Sequence, residues 1–333
     1  MALVIIVVVL VLGEGYVARS ISLLPSPGSS ISYPTSATFP FAHGPLCPSS
    51  IHTACPLNAT CCPMSMSKSG YGCCAISADA VCCGLQGCCP SGYHCINIPP
   101  YSSICAKNGA PNISATQVCT PGPQYPPSSS VPSMIVVGDS VSLGYTPAVA
   151  GIINKTGRQV FVQHSPWAGG GGADNVENGV NCEEYFLRTA MYESVQWDLI
   201  SFNFGLHNLD NSTGAEDRYS ALLTRFTDRL LQTHSKLVFV TTTPYMPDRL
   251  AGNRVVEELN ARATAIMRTR GIMVADLYQH VISLCGPLYK NCSICDNEYN
   301  NKTGVTCGYH YTKDGYDYLA AFLAPIYASL IHS

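Results

Sequence analysis

Ser140 and His310 are the two side chains of this chain whose types and settings suit nucleophilic chemistry. Met134-Ile135-Val136-Val137 is an apolar run rich in β-branched residues, the pattern of a short buried strand, and Gly138-Asp139-Ser140 ends it with turn chemistry. A serine at the C-terminal edge of a parallel sheet projects its hydroxyl into the crevice where open α/β folds hold ligands, beside the N–H groups of the next helix's first turn. His310 stands in the stretch from Cys307 to Tyr316, C-G-Y-H-Y-T-K-D-G-Y, just ahead of a helical pattern. Two further stretches carry polar or glycine-rich chemistry: W-A-G-G-G-G-A-D-N from Trp167 and F-N-F-G-L-H-N-L-D from Phe202. A different chemistry shares the last region, because Cys292-x₂-Cys295 followed by Cys307-x₂-His310 has the spacing of a zinc site.

Positioning these residues requires regular elements, and from Met134 onward the pattern alternates. Strand-like runs fall at 134–138, 159–163, 198–204, 236–242 and 272–276, separated by helix-like segments. The clearest helix is 215–233, where Tyr219, Leu222, Leu223, Phe226 and Leu230 recur at helical spacing while Glu216, Asp217, Arg218, Arg225 and Arg229 face elsewhere. Residues 253–269 and 312–331 read as two more, the last with Thr312 as N-cap. Alternating strands and helices over this length imply a three-layer α/β domain with a parallel sheet. The four chemical stretches then lie at element ends.

In order and spacing those stretches resemble the signature blocks of the SGNH (GDSL-type) hydrolases, over essentially all of 134–331 in a domain that spans 134–333. The third block is closest to a branch with F-N-x-G-L-H-D before a helix and a T-T-P strand end, here Thr242-Thr243-Pro244. The resemblance implies a flavodoxin-like fold and an esterase, lipase or carbohydrate deacetylase that needs no cofactor and works through an acyl-enzyme. Ser140 would be the nucleophile and His310 its general base. The oxyanion hole would comprise the Ser140 N–H, an N–H of Gly171 or Gly172 with Gly172 preferred, and a third-block side chain, His207 ahead of Asn208. Glycine suits the loop because a residue without Cβ brings its amide close to the reacting centre.

Two departures from the family pattern bear on chemistry. His207 occupies the place of the usual Asn donor, and an imidazole N–H can serve in its stead. Cys307 occupies the place of the Asp that normally orients the histidine. A backbone carbonyl would then hold His310, giving a Ser-His dyad, or Asp296 or Asp314 would reach in. Tyr145, Trp167, Tyr245 and Tyr309 are cleft-wall residues or, more commonly for such aromatics, packing residues. Asp139 is expected to brace its turn and His164 to cap an element or lie exposed.

Cysteine usage sets the compartment. Eighteen cysteines would be hard to keep reduced without metal, whereas an oxidising environment makes them disulfides. Twelve crowd into 47–105: Cys47, Cys55, the adjacent pairs Cys61-Cys62, Cys73-Cys74, Cys82-Cys83 and Cys88-Cys89, then Cys95 and Cys105. A segment so short and poor in large apolar residues must be stapled. With C-P-L-N-A-T-C-C, Y-G-C-C, A-V-C-C and C-C-P-S-G-Y-H-C it resembles the granulin (epithelin) module. That resemblance implies a stack of β-hairpins laddered by Cys47–Cys61, Cys55–Cys73, Cys62–Cys82, Cys74–Cys88, Cys83–Cys95 and Cys89–Cys105. Cys119, Cys182, Cys285, Cys292, Cys295 and Cys307 leave an even six with open connectivity, Cys119 being expected to pair with the second domain.

The remaining organisation follows from composition. Residues 1–15 read as a signal peptide, 16–46 as a Ser/Pro-rich linker, and 106–133 as a second, extended Pro/Ser-rich linker between the granulin-like segment and the α/β domain. Sequons at Asn58, Asn112, Asn154, Asn211, Asn291 and Asn301 fit a glycosylated, secreted, extracellular protein with no stable membrane span after signal removal. Charged residues are 12% of the chain and the net charge is −3, so no basic stripe exists to bind nucleic acid. The expected partners are a small-molecule, carbohydrate or lipid ester substrate and a protein partner for the granulin-like segment. The competing reading is a catalytically weak or inactive SGNH scaffold that carries a granulin module for binding or signalling.

Overall fold

The three central strands of the five-stranded parallel sheet that carries the site are buried almost throughout, as a sheet covered on both faces requires, while its two edge strands are partly exposed. In the computed structural model the described residues are 46–47, 53–64, 70–84, 87–98, 102–120, 122–123, 128–157, 159–166, 173–210, 212–245, 250–287, 292–296 and 307–331. The expected signal peptide and nearly all of the first linker lie outside them.

The N-terminal part is built from short antiparallel pairs. β1 (Thr60–Pro63) pairs with β2 (Tyr71–Cys74), β3 (Val81–Cys83) with β4 (Gly87–Cys89), and β5 (His94–Ile98) with β6 (Ser102–Ala106). Six disulfides ladder the stack, joining the same partners that the granulin resemblance implies. They close loops of 12 to 20 residues. In the chain-entropy account a loop of roughly 15 residues is worth about 3 kcal/mol, which makes up for a core of little more than half-cystines.

The stretch expected to be an extended linker is partly structured. β7 (Ile113–Ser114) adds to β6, β8 (Thr116–Gln117) adds to β4, and Cys119 exchanges backbone hydrogen bonds with Cys73 at 2.8 Å in each direction. Pairing partners on the hairpins outweigh the preference of a polar, proline-flanked segment for an open chain.

The α/β part follows with β9 (Ser133–Val137), α1 (Ser140–Lys155), β10 (Phe161–Ser165), α2 (Val176–Leu187), β11 (Leu199–Phe202), α3 (Ala215–Leu231), β12 (Lys236–Val240), α4 (Leu250–Thr269), β13 (Met273–Ala275), α5 (Leu277–Cys285) and α6 (Lys313–Ile331). The strands are all parallel in the order β10-β9-β11-β12-β13. This is the flavodoxin-like order, whose topological switch point lies beside the first strand of the sheet, here β9.

Alternation along each strand sorts the core into two layers. Ile135, Val137, Ile200, Phe202 and Phe239 pack with Val180 and Phe186 of α2, Leu223 and Phe226 of α3, and Leu259, Ala263 and Met267 of α4. Their neighbours Met134, Val136, Leu199, Val238 and Val240 pack with Val149 and Ile153 of α1, Val281 of α5, and Leu319, Leu323 and Tyr327 of α6. Helices α1 and α6 approach closely at Gly144, where any Cβ would run into the Tyr316 ring. The helix that begins with Ser140 is thereby set against the helix that follows His310. Among the described residues no helix is long and apolar enough to cross a membrane.

Candidate active site

Asp139 follows β9 in extended backbone and caps α1, its side chain accepting the Val141 N–H at 3.0 Å. It is buried, and burial raises its pKa against the opposing charges of His207 and His310 and the Val141 and Ser142 amides. The bracing role expected of Asp139 is what the structure displays. Ser140 is consequently the first residue of α1, and its Oγ lies 2.8 Å from His310 Nε2. The hydroxyl and imidazole are therefore in hydrogen-bond contact at the carboxyl end of β9, beside the switch point.

His310 is fixed by its own segment. Residues 292–296 run antiparallel to it: Cys295 bridges Tyr311, the Asp296 N–H donates to the His310 carbonyl at 2.9 Å, and the Gly308 N–H donates to the Asp296 carbonyl at 3.0 Å. Disulfides Cys285–Cys292 and Cys295–Cys307 tie this ladder down. Three of the four groups with zinc spacing thus spend their sulfurs on disulfides. Thr312 then starts α6, its Oγ1 accepting the Gly315 N–H at 3.1 Å, in the capping role expected of it. Asp314 is exposed in the first turn of α6, whereas the antiparallel register sets Asp296 opposite His310.

The third block turns at Gly205, where a Cβ would collide with the Thr242 side chain, and continues as a short 3₁₀ turn, Leu206–Asn208. His207 Nδ1 lies 2.8 Å from Asp174 Oδ1. Burial works against a charge on His207, but the hydrogen bond and charge of Asp174, with Asp139 behind, hold its pKa above the ordinary histidine value. The pairing has a chemical consequence. A carboxylate accepts only, so Nδ1 carries a hydrogen, and Nε2 is a donor only when the ring is an imidazolium. Asn208 has its Oδ1 engaged by the Val176 N–H at 3.2 Å, at the start of α2.

Gly171, Gly172 and Trp167 lie outside the described residues, but the end of their loop is anchored: the Ala173 N–H donates to the Gly138 carbonyl at 2.7 Å, and Asn175 caps α2. Asp174 between them takes φ 61°, a left-handed conformation that Asp tolerates better than most residues and that is found at functional sites. Its second oxygen, Oδ2, accepts from Gln117 Nε2 at 3.2 Å. Burial pushes the Asp174 carboxyl up, yet the His207 and Gln117 contacts outweigh it and leave the pKa below the usual value.

A second serine and histidine stand behind the first pair. Ser142 Oγ is 2.7 Å from His164 Nε2, and His164 Nδ1 is 3.1 Å from the Pro166 carbonyl, both side chains being buried. A carbonyl accepts only, so Nδ1 carries a hydrogen, while the single hydrogen of the Ser142 hydroxyl is shared between His164 Nε2 and the Asp139 carbonyl, each 2.7 Å from Oγ. Burial pushes His164 down to about 4, keeping it neutral. The expected exposed or capping role is replaced by a sealed structural one. Tyr145 is likewise core, whereas Tyr245 stacks on Tyr309 at 6.1 Å and Tyr309 meets the His310 ring edge-on at 4.6 Å, so these two form the rim beside the histidine.

Asp174 lies within the glycine-rich block, and an acid two residues beyond a candidate oxyanion glycine is the sequence signal that could find it. Gln117 carried none. Cys119 does pair with the second domain, at Cys182 of α2. Of the sequons, Asn58, Asn112 and Asn154 are exposed and Asn211, Asn291 and Asn301 lie outside the described residues.

No protein-family model matches the chain. Forty-five residues, 13% of the chain, are 49% identical to progranulin of Rattus norvegicus. They span only 7% of that curated relative's length. This likeness and the disulfide ladder fit a granulin-type module in the N-terminal part. Among solved structures the chain is similar to a lipase/acylhydrolase from Enterococcus faecalis, at 18% identity and a TM-score of 0.45, over 60% of this chain and 96% of that one. An acetylxylan esterase from Geobacillus stearothermophilus is 14% identical with a TM-score of 0.44, over 61% and 94% of the two chains. A GDSL-like lipase from Bacteroides thetaiotaomicron is 16% identical with a TM-score of 0.43, over 61% and 90%.

Proposed function

We propose that the chain is a secreted serine ester hydrolase acting on small-molecule, carbohydrate or lipid esters, with Ser140 as nucleophile and His310 as general base. The observation that carries the proposal is the 2.8 Å contact between Ser140 Oγ and His310 Nε2 at the end of the first strand of a flavodoxin-like sheet. As Oγ bonds to the acyl carbon, its proton passes to Nε2. When the bond to the alcohol breaks, Nε2 returns that proton to the leaving oxygen. Water then gives a proton to His310 and attacks the acyl-serine, releasing the acid and restoring the hydroxyl. The Ser140 N–H, an N–H of Gly171 or Gly172, and the Nε2–H of a protonated His207 receive the developing oxyanion.

Secretion and N-glycosylation at the sequons belong to the same proposal and are supported by the nine disulfides of the described residues and the exposure of Asn58, Asn112 and Asn154. One observation favours a second reading, a weakly active or inactive scaffold whose granulin module binds a protein partner. Cys307, in the family's Asp position, is spent on a disulfide and does no electrostatic work for His310. Turnover of short p-nitrophenyl esters and of acetylated sugars by the wild type beside Ser140→Ala separates the two. Ser140-dependent hydrolysis supports the enzyme, and equal background rates in both chains support the scaffold.

A further inference from the structure

The granulin-type module is joined to the α/β domain by more than a tether. Cys119–Cys182 links them covalently, the Ala54 N–H donates to the Ala190 carbonyl at 3.0 Å, and Cys47, Cys55, Cys73 and Cys119 share one buried cluster with Cys182, Tyr185 and Phe186 of α2. One polar contact at this junction leads inward. Gln117 lies on β8, opposite Gly87 of β4 and two residues before the Cys119 anchor, and its Nε2 reaches Asp174.

The two oxygens of Asp174 are divided between the domains. Oδ1 holds His207 Nδ1 at 2.8 Å, and Oδ2 takes Gln117 Nε2 at 3.2 Å. A carboxylate held at one oxygen can still swing about its last torsion, whereas one held at both is fixed in plane. We propose that Gln117 is a positioning residue for the hydrolase site, and that the granulin-type module acts through it to fix the plane of Asp174 and hence the orientation of the His207 ring. The inference rests on the reading of His207 as oxyanion donor. It assigns the module a part in catalysis without contact to substrate. A donor that must meet a charge appearing only in the transition state is sensitive to small misplacements, so the loss is expected in kcat.

The test uses the full-length oxidised chain with Gln117→Leu, which keeps the bulk of the side chain and removes the donor, and checks folding by near-ultraviolet circular dichroism. With p-nitrophenyl acetate, Gln117→Leu should lower kcat about tenfold with KM nearly unchanged, a coupling typical of one hydrogen-bond network. In a His207→Asn background the same substitution should change kcat less than about twofold, because the asparagine does not depend on Asp174. An equal loss in both backgrounds would show a merely structural role and overturn the proposal. A second readout needs no activity: with ¹⁵N-histidine labelling, the His207 Nδ1–H resonance, assigned by its loss in His207→Asn, should be sharp in the wild type and broadened in Gln117→Leu. An unchanged resonance would overturn the proposal as well. Absence of Ser140-dependent turnover would instead overturn the hydrolase reading, while the ring resonance still decides whether Gln117 fixes the Asp174–His207 pair.

Discussion

Asp296 faces His310 across a short antiparallel ladder, its N–H donating to the His310 carbonyl at 2.9 Å, and the ladder is closed by Cys295–Cys307. Cys307, which stands where the SGNH pattern has an Asp, is thus the residue whose disulfide closes the ladder that brings another carboxylate-bearing position alongside the histidine. Residues paired in this way carry their side chains on one face of the ladder.

If the Asp296 carboxylate orients His310, Asp296→Asn should depress kcat by as much as about 10⁴-fold, the effect of removing a triad carboxylate that fixes the tautomer. Asp314→Asn, at an exposed position, serves as control and should stay near wild type. Wild-type kcat in Asp296→Asn would leave a Ser140–His310 dyad held by backbone alone.

If His207 is the oxyanion donor, its Asp174 partner makes that donor a titratable one. Nε2 donates only while the ring is protonated, and the ring's raised pKa extends that state upward in pH. Activity should therefore fall as pH rises through the His207 pKa, above the ordinary 6.5. His207→Ala should lower kcat on the order of 10²-fold at every pH with KM little changed, and His207→Asn should recover much of the loss and lack this alkaline limb. Profiles of kcat from pH 5 to 9 for the three chains check it; an alkaline limb that persists unchanged in His207→Asn assigns that limb to another group.

The junction disulfide should carry global stability. Cys119 and Cys182 are 63 residues apart, and closing such a loop is worth about 4 kcal/mol in the chain-entropy account. Replacing both cysteines with alanine should lower the midpoint of denaturant unfolding accordingly while the other disulfides stay intact by peptide mapping. An unchanged midpoint would mean that the two parts unfold independently.

The buried Ser142–His164 pair predicts an acid sensitivity. Between pH 6.5 and about 4 the unfolded chain takes up a proton that folded His164 refuses, so stability falls by about 3 kcal/mol as pH drops through that window. Burial raises Glu183 to about 7 against the nearby Arg229, and this group acts in the opposite sense, losing stability as pH rises toward 7. The difference between wild type and His164→Gln cancels the Glu183 contribution. Chemical denaturation at pH 4.5 and 7 should show that lowering the pH costs the wild type about 2 kcal/mol more than it costs the variant, and an equal change in both would mean that His164 is not the group refusing the proton.

The legible parts of the fold were those with a period. Apolar runs announced all five parallel strands to within a few residues, and the four blocks at their ends marked Ser140 and His310. What escaped were relationships between segments distant in sequence. Gln117 sits in a polar, proline-flanked stretch whose composition reads as open chain, and only pairing with the hairpins orders it and brings it to Asp174. His164 carried no sign of burial, since its partner Ser142 is set by the turn of α1 and not by any pattern around the histidine. Granulin pairing followed from resemblance, whereas Cys285–Cys292 and Cys295–Cys307 had no such guide and were known only from the folded chain.

The central claim is that Ser140 and His310 act as one unit on an ester. The most direct measurement is the turnover of p-nitrophenyl acetate by wild type, Ser140→Ala, His310→Ala and the double variant, all as full-length oxidised chains. Residues that share one proton transfer are grossly non-additive, so the three variants should be about equally inactive and the wild type far faster. Full activity retained in either single variant would contradict the account.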